Sequence, residues 1–371
     1  ILFAENPGVV IQVADKHKTE VKKILEDAGV GYVKIGVPTE ERHILATLHD
    51  ATYQFGIDYL RDVWYSTSYL LDRKQSMNGC AKKRFENYKQ QPLEFVFDKS
   101  FTGKLSQFGL DPNRRTPSGI KAAIIREKGT NGEREMAYML YLAGFDVKDV
   151  TMTDLISGRE TLEDINMVVY CGGFSNSDVL GSAKGWAGSF LFNPKAKAAL
   201  DNFYAREDTL SLGVCNGCQL MMELGLITPE DKKKGKMLHN DSHKFESNFL
   251  GVTVPMNRSV MFGSLSGSKL GIWVAHGEGK FSLPYPEDHY NVVLKYSYDE
   301  YPGNPNGSDY SVAGIASQDG RHLAMMPHLE RACFPWENAY YPLDRKEEDQ
   351  ITPWMEAFVN ARKWVEANRK K

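Results

Sequence analysis

Residues 210–221 constrain the fold of this chain more than any other part of the sequence. Apolar residues run into the pentapeptide Gly-Val-Cys-Asn-Gly at residues 213–217, and helix-forming residues follow. A side chain held on a tight turn between a strand and a helix needs glycine two positions before and two positions after it. The neighbouring backbone approaches those positions too closely for a Cβ atom. The segment therefore predicts a buried strand, a sharp turn at Cys215 and a helix.

Strand and helix patterns alternate around this turn, which is typical of a parallel sheet with helices on both faces. The predicted strands are residues 121–125, 164–171 and 209–214, and the predicted helices are 133–143, 196–204 and the segment ending at 221–222. Residues 250–333 are strand-rich and broken by Gly, Pro and Asn turns. The fold class predicted is α/β, a doubly wound and mostly parallel sheet with added antiparallel strands.

The first part of the chain has its own pattern. Residues 8–14 and 32–35 look like strands on either side of a helix at 17–28, which predicts a small β-α-β unit. Asp58 can cap a further helix, whose apolar face needs a covering layer. Periodicity is lost over residues 90–118, which are rich in Pro, Gly, Asn and Arg. Three parts are expected: 1–90, a linker or docking segment at 91–118, and a main domain at 119–371.

Charge and composition limit the classes of partner that this chain can bind. A net charge of -3 is unlike the basic surface that nucleic acid requires. No apolar run approaches the roughly 20 residues that cross a bilayer, so no membrane partner is expected. Five cysteines, an odd number in a large chain, predict a reducing compartment, the cytoplasm. The chain does not begin with Met, and we expect it to be part of a longer protein.

Cys215 is the candidate nucleophile. The amino terminus of the following helix would face its sulfur, and helix dipoles favour thiolate over thiol. One alternative is that Cys215 is a small buried residue at a strand end. A second is a Cys-x-x-Cys redox or zinc pair with Cys218, although no further ligand pair of that kind completes a metal site.

His328 and Glu330 are candidates for proton transfer. If the strand at residues 323–326 continues, both side chains point the same way, and Glu330 can hold the tautomer of His328. A surface ion pair is the common alternative for such a pair. Together with Cys215, the residues form the hypothesis of a catalytic triad.

Two backbone N–H groups are candidates for an oxyanion hole. The apolar run 168–171 ends in Gly172 and Gly173, and the N–H groups of Gly173 and Asn216 would stabilise developing negative charge. The alternative is that Gly172 and Gly173 only form a turn.

With these residues in place, the sequence resembles the glutaminase domain of the phosphoribosylformylglycinamidine synthase family. Seven segments carry the resemblance in order, namely residues 129–135, 172–175, 185–187, 213–219, 275–279, 304–308 and 325–328. Four positions depart from the family pattern. Leu329 stands where Pro is usual, Asn176 and Ser177 replace Tyr-Gly, and Asn248 replaces Arg.

The resemblance implies hydrolysis of glutamine through a thioester on Cys215. His328 would pass protons, Glu330 would orient His328, and Gln219, Gly172 and Phe174 would contact the bound glutamine. Ammonia would then pass to an ATP- and magnesium-dependent synthetase domain of the same polypeptide, of which residues 1–90 would be the end. No cofactor or metal is expected in this chain itself. His276 and Glu278 are expected to be structural.

Overall fold

The structure, a computed structural model, describes residues 7–91 and 93–369. By its internal contacts the chain divides into two compact units, Ile1–Trp64 and Tyr65–Lys371.

The strands are β1 (His43–Leu48), β2 (Ala51–Gly56), β3 (Lys121–Arg126), β4 (Asp146–Thr151), β5 (Met167–Tyr170), β6 (Leu210–Val214), β7 (Lys236–Leu238), β8 (Glu246–Thr253), β9 (Lys269–His276), β10 (Lys280–Ser282), β11 (Asn291–Tyr296), β12 (Val312–Ala316) and β13 (His322–Met325). The helices are α1 (Lys18–Asp27), α2 (Ile57–Gln75), α3 (Cys80–Glu86), α4 (Glu133–Ala143), α5 (Met152–Ser157), α6 (Lys184–Leu191), α7 (Pro194–Ala205), α8 (Asn216–Glu223), α9 (Leu343–Lys346) and α10 (Trp354–Asn368).

The predicted β-α-β unit at the start of the chain is wrong. Helix α1 forms as expected, but the described residues of 8–14 and 32–35 are not strands. Val9 and Val33 are 88% and 78% exposed, so these runs lack the neighbouring strand that would satisfy their backbone groups. The strands of this unit are instead β1 and β2, an antiparallel hairpin. Asp58 lies inside the first turn of α2, where it accepts hydrogen bonds from Arg42.

The large unit contains a nine-stranded sheet in the order β4-β3-β5-β6-β13-β12-β11-β8-β9. The strands from β4 to β13 pair in parallel, and those from β13 to β9 pair in antiparallel fashion. Every residue of β5, β6, β12 and β13 is buried. Because alternate side chains point to opposite faces, both faces of the central sheet are covered. The α/β fold with added antiparallel strands is confirmed.

Residues before 119 also pack within the large unit. Arg84 on α3 donates to Asp72 at 2.7 Å and to Glu246 on β8 at 3.2 Å, and Lys244 donates to Asp72 at 2.9 Å. Both carboxylates are buried, and burial raises the pKa of Glu246. Burial also opposes ionisation of Asp72, but hydrogen bonds from Ser76 and Lys244 and the charge of Arg84 lower its pKa overall. The compact units divide near residue 64, and the division at 90 and 118 stays a prediction about the functional parts of the chain.

Acid is expected to destabilise the fold through His322 on β13. Its ring contacts the Ser211 hydroxyl at 3.0 Å and lies 4.6 Å from the ring of Tyr204. Burial, with the nearby Arg321 charge, lowers the pKa of His322 to about 4. The unfolded chain binds this proton near pH 6.5, so stability falls as pH drops from there towards 4, by about 1.4 kcal/mol per pH unit.

Denaturant unfolding at pH 7, 6 and 5 would measure this loss. His322→Gln should show a shallower decline than the unsubstituted chain, because it removes the titrating group. His17→Gln, whose side chain is 52% exposed in the parent, is the control and should leave the slope unchanged. Equal slopes for all three proteins would contradict the assignment.

Candidate active site

Cys215 lies at the turn between β6 and α8 with φ 53° and ψ −108°, a strained conformation for a residue with a side chain. Two glycines permit the turn. A Cβ atom on Gly217 would lie 2.0 Å from the carbonyl oxygen of Tyr170, and one on Gly213 would lie 2.5 Å from the carbonyl oxygen of Gly217. The Cys215 thiol is buried and contacts the Ala275 carbonyl oxygen at 3.6 Å.

Gly217→Ala is expected to destabilise the fold by roughly 1–3 kcal/mol or more, because the new methyl group meets backbone that cannot move aside. Gly188→Ala on α6 is the matched control. Its Cβ would meet only the Phe192 ring at 3.7 Å, and alanine in a helix should stabilise by about 0.5–1 kcal/mol. Thermal unfolding of both variants tests the difference in sign. A Gly217→Ala protein as stable as the parent would contradict the close packing at the turn.

His328 and Glu330 lie just beyond β13. The Nδ1 atom of His328 is 2.7 Å from Oε1 of Glu330, and the two side chains are only 2% and 1% exposed. The expected strand continuation is absent, because residues Leu329–Arg331 form a 3₁₀ turn that brings the pair together. His328 N–H donates to the Trp273 carbonyl oxygen at 2.9 Å, which fixes the start of this turn on β9.

The electrostatics of His328 favour its protonated form. Burial lowers the pKa of His328, but the charge of Glu330 and hydrogen bonds with Cys215 and Glu330 raise it, and the net pKa is about 10. Gly172 lies beside both side chains. A Cβ atom at Gly172 would be 3.3 Å from Cys215 Cβ and 3.7 Å from His328 Nε2. The structure therefore brings Cys215, His328 and Glu330 together at one edge of the sheet.

The two predicted oxyanion donors are Gly173, in the loop after β5, and Asn216, at the start of α8. Within residues 7–91 and 93–369, the N–H groups of Gly173 and Asn216 donate to no backbone carbonyl. Gly173 has φ +125°, and a Cβ there would lie 2.5 Å from Thr130 Cα. The adjoining segment clamps the loop, because Asn131 N–H donates to Gly172 O at 2.9 Å and Phe174 N–H donates to Gly129 O at 2.8 Å.

The three predicted substrate-contacting residues differ in burial and in hydrogen bonding. Gln219 accepts a hydrogen bond from the Asn216 side chain at 2.9 Å and donates to the Glu278 carbonyl oxygen at 2.8 Å. Its amide thus joins α8 to residues 277–279. Phe174 is 47% exposed and packs against Phe245 at 6.0 Å between ring centroids. Gly172 borders the site, because a Cβ atom there would point at Cys215 and His328.

Residues 276–279, at the end of β9 and just after it, pack closely around the predicted site, which their sequence did not indicate. Burial lowers the pKa of His276 to about 3, with a contribution from nearby His328, so this ring is neutral. Asn240, which no sequence motif indicated, holds the segment by donating to His276 O at 2.7 Å and accepting from Gly279 N–H at 3.0 Å.

The departures from the family pattern leave the three central side chains in contact. Leu329 is fully buried in the 3₁₀ turn, and Asn248 lies exposed on β8. Asn176 and Ser177 both have left-handed backbones, with φ 52° and 57°. Cys215 and Cys218 are both free thiols. Among the described residues, no group of three or more metal-binding side chains comes together, and no helix is long and apolar enough to span a membrane.

The structure thus places a cysteine on a tight turn at the end of a central parallel strand, with a histidine and a glutamate beside it, which is the arrangement predicted for a glutamine amidotransferase. The chain belongs to the family described as the CobB/CobQ-like glutamine amidotransferase domain, which matches residues 119–365. Over 99% of its length it is 38% identical to the probable phosphoribosylformylglycinamidine synthase, chloroplastic/mitochondrial, of Arabidopsis thaliana. It is also 38% identical, over 98% of its length, to phosphoribosylformylglycinamidine synthase of Homo sapiens.

These relatives are longer proteins, since the chain spans 27% and 29% of their lengths. Among solved structures, PurLQS from Thermotoga maritima is 27% identical, with a TM-score of 0.51 over 66% of this chain and 99% of that chain. The resemblance to the phosphoribosylformylglycinamidine synthase family is confirmed.

Proposed function

We propose that the chain is the glutaminase part of a phosphoribosylformylglycinamidine synthase, with Cys215, His328 and Glu330 as its catalytic residues. The observation that carries the proposal is the buried hydrogen bond of 2.7 Å between His328 and Glu330 beside a strained nucleophile turn. Identity to synthases of this name across nearly the whole chain supports the same function.

In the proposed reaction, His328 holds the proton of the Cys215 thiol as an imidazolium, and the Cys215 sulfur attacks the side-chain carboxamide carbon of L-glutamine. Negative charge then develops on the amide oxygen, where the N–H groups of Gly173 and Asn216 would stabilise it. His328 donates a proton to the departing nitrogen, the C–N bond breaks, and ammonia leaves a glutamyl thioester on Cys215. Water then attacks the thioester while His328 accepts its proton, and glutamate and the free thiol are released.

Glu330 would act through His328. Its carboxylate accepts the Nδ1–H, so the Nε2 side of the ring stays available for proton transfer. The buried carboxylate also stabilises the positive charge that the ring carries before it gives up its proton.

We further propose that the ammonia is used by a synthetase domain of the same polypeptide, which converts formylglycinamide ribonucleotide to formylglycinamidine ribonucleotide with ATP and magnesium. No residue of this chain is assigned to the ATP-dependent step. Residues 1–90 are proposed as the end of that synthetase, and 91–118 as a docking segment. The cytoplasm is the proposed location, because the five cysteines are all free thiols.

Covalent labelling tests the nucleophile without requiring turnover. The chain would be treated with the glutamine-like electrophile 6-diazo-5-oxo-L-norleucine, with and without excess L-glutamine, and analysed by intact mass and peptide mapping. One adduct on Cys215 that glutamine prevents is the expected result. Equal labelling of Cys218 and Cys333 without protection would contradict the proposal.

A further inference from the structure

Four charged side chains, the charge cluster, meet where α2 and α3 contact the start of β8. Arg84 on α3 donates to Asp72 on α2 at 2.7 Å and to Glu246 on β8 at 3.2 Å, and Lys244 donates to Asp72 at 2.9 Å. Asp72 and Glu246 are only 7% and 6% exposed, although the residues that match the family begin at 119. The proposed reaction uses none of these side chains.

The connection between α2 and α3 also holds the turn that leads into β8. Met77 N–H donates to the Ser242 carbonyl oxygen at 3.0 Å, and the Asn78 side chain donates to the Asp241 carbonyl oxygen at 2.8 Å. The Ser242 hydroxyl in turn donates to Glu246 of the charge cluster. Hydrogen bonds and ion pairs from the same part of the chain therefore converge on one short turn.

Asn240 connects this turn to the end of β9. Its side chain donates to the carbonyl oxygens of Lys244 at 2.9 Å and His276 at 2.7 Å, and it accepts from Gly279 N–H at 3.0 Å. The Asn240 N–H donates to the Gly277 carbonyl oxygen at 2.9 Å. Because Asn240 is fully buried, its loss would leave several backbone groups without partners. One side chain thus ties the turn before β8 to the residues that follow β9.

The end of β9 and the residues after it contact α8 and the nucleophile. The Gln219 side chain donates to the Glu278 carbonyl oxygen at 2.8 Å, and the Cys215 thiol contacts the Ala275 carbonyl oxygen at 3.6 Å. Gln219 comes about one helical turn after Cys215, so both contacts act on the same end of α8. A shift of this backbone would move the groups that meet the substrate amide.

Arg84 joins the two halves of the charge cluster, because its guanidinium bonds one carboxylate on α2 and one on β8. Removing one partner of a buried ion pair leaves an uncompensated charge, and the surrounding structure must then move or neutralise that charge. Glu246 lies directly opposite His276 in the pairing of β8 with β9. A movement of Glu246 would therefore act on the same backbone that Asn240 holds.

We propose that Arg84 is a positioning residue for glutamine hydrolysis. By holding the two buried carboxylates together, it fixes the turn before β8, and through Asn240 this turn sets the backbone beside Cys215. The inference rests on the proposed glutaminase function. It places one requirement of that function on α3, outside residues 119–365, which match the family. A chain that began at residue 119 would lack this contact.

Two electrophiles separate the geometry of the reaction from the exposure of the thiol. The first, 6-diazo-5-oxo-L-norleucine, must be placed as glutamine is, and the second, iodoacetamide, needs no such placement. Arg84→Met should lower the maximal rate of Cys215 labelling by the first reagent roughly 10- to 100-fold, because a displacement of about 1 Å between reacting groups costs that much. The reagent concentration that gives half the maximal rate should be unchanged, and so should labelling by iodoacetamide.

Two further variants of α3 calibrate this loss. Arg84→Lys keeps the charge but not the planar fork that bonds both carboxylates, so its rate should lie between those of the parent and Arg84→Met. Lys82→Met, at a cation on the same helix whose side chain is 66% exposed, is the control and should label at the parent rate.

Asn78→Gly tests the same turn without disturbing a buried charge. It removes the hydrogen bond to the Asp241 carbonyl oxygen, and glycine suits the backbone there, since Asn78 has φ 54°. Its maximal rate with the amino-acid reagent should fall roughly 2- to 10-fold, the effect of losing one neutral hydrogen bond.

Iodoacetamide also detects local unfolding, because Cys80 lies on α3 and is only 3% exposed. If Arg84→Met and Asn78→Gly both react with the amino-acid reagent at the parent rate, while glutamine still protects Cys215, the inference fails and the proposed function stands. If the parent chain shows no glutamine-protected labelling, the proposed function fails as well. If Arg84→Met exposes Cys80 to iodoacetamide, α3 has unfolded and Asn78→Gly decides: selective loss with the amino-acid reagent supports the inference, and the parent rate overturns it.

Discussion

Cys215→Ala is expected to reduce glutamine hydrolysis by roughly 10⁴- to 10⁶-fold, the loss seen when a member of a catalytic triad is removed. The reason is structural as well as chemical. The turn places the Cys215 side chain beside Gly172, where the His328 ring also lies. Release of ammonia and glutamate from the purified chain measures the effect, with any remaining rate compared with buffer alone.

Cys218→Ala is the matched control, since Cys218 lies on the same helix and is fully buried. Burial raises the pKa of Cys218 well above its ordinary value, so this thiol stays protonated and unreactive. The variant should keep its glutaminase rate. Loss of activity with Cys218→Ala and retention with Cys215→Ala would instead favour a redox function for the pair.

Glu330→Gln is expected to lower the rate of glutamine hydrolysis by about 10²- to 10⁴-fold. Glutamine has the same shape as glutamate and can still accept the Nδ1–H of His328, but it removes the buried negative charge. The imidazolium of His328 then has no counter-charge in a site whose two side chains are 2% and 1% exposed in the parent. Steady-state kinetics should show the loss mainly in kcat, because Glu330 acts on the reaction through His328.

The pH profile distinguishes this electrostatic role from simple structural damage. In the parent chain the pKa of His328 is about 10, so the imidazolium is present at neutral pH and is lost as pH rises through 10. Without the Glu330 charge, the alkaline decline of activity should move to lower pH. Glu135→Gln, at a neighbouring carboxylate that is 46% exposed, should leave both the rate and the profile unchanged. An unshifted profile in Glu330→Gln would contradict the proposed role.

Much of the main domain could be predicted because its signals are local. Residues 213–217 specify a turn that only glycine permits on either side of Cys215, and the largely apolar strands around it indicate a sheet covered on both faces. The parallel strands β5, β6 and β13 all end at one edge, so the loops after them meet there. That rule places Gly172, Cys215 and His328 close together before any coordinates are known.

The prediction from sequence was wrong where an apolar segment has no neighbouring strand to pair with. Residues 8–14 and 32–35 have the composition of strands, but a strand forms only when another backbone satisfies its N–H and C=O groups. The predicted backbone conformation was also wrong at His328 and Glu330. Their contact was expected from a continuing strand, whereas a 3₁₀ turn creates it.

The sequence by itself determined the class of fold and the tight turn at Cys215, because steric and periodic constraints act between near neighbours. Only the tertiary structure decided what surrounds them. The buried neutral ring of His276, the Asn240 clamp and the ion pairs of Arg84 with Asp72 and Glu246 join residues far apart in the chain. Their burial and charge arise from packing across the sheet, and no local pattern encodes those distances.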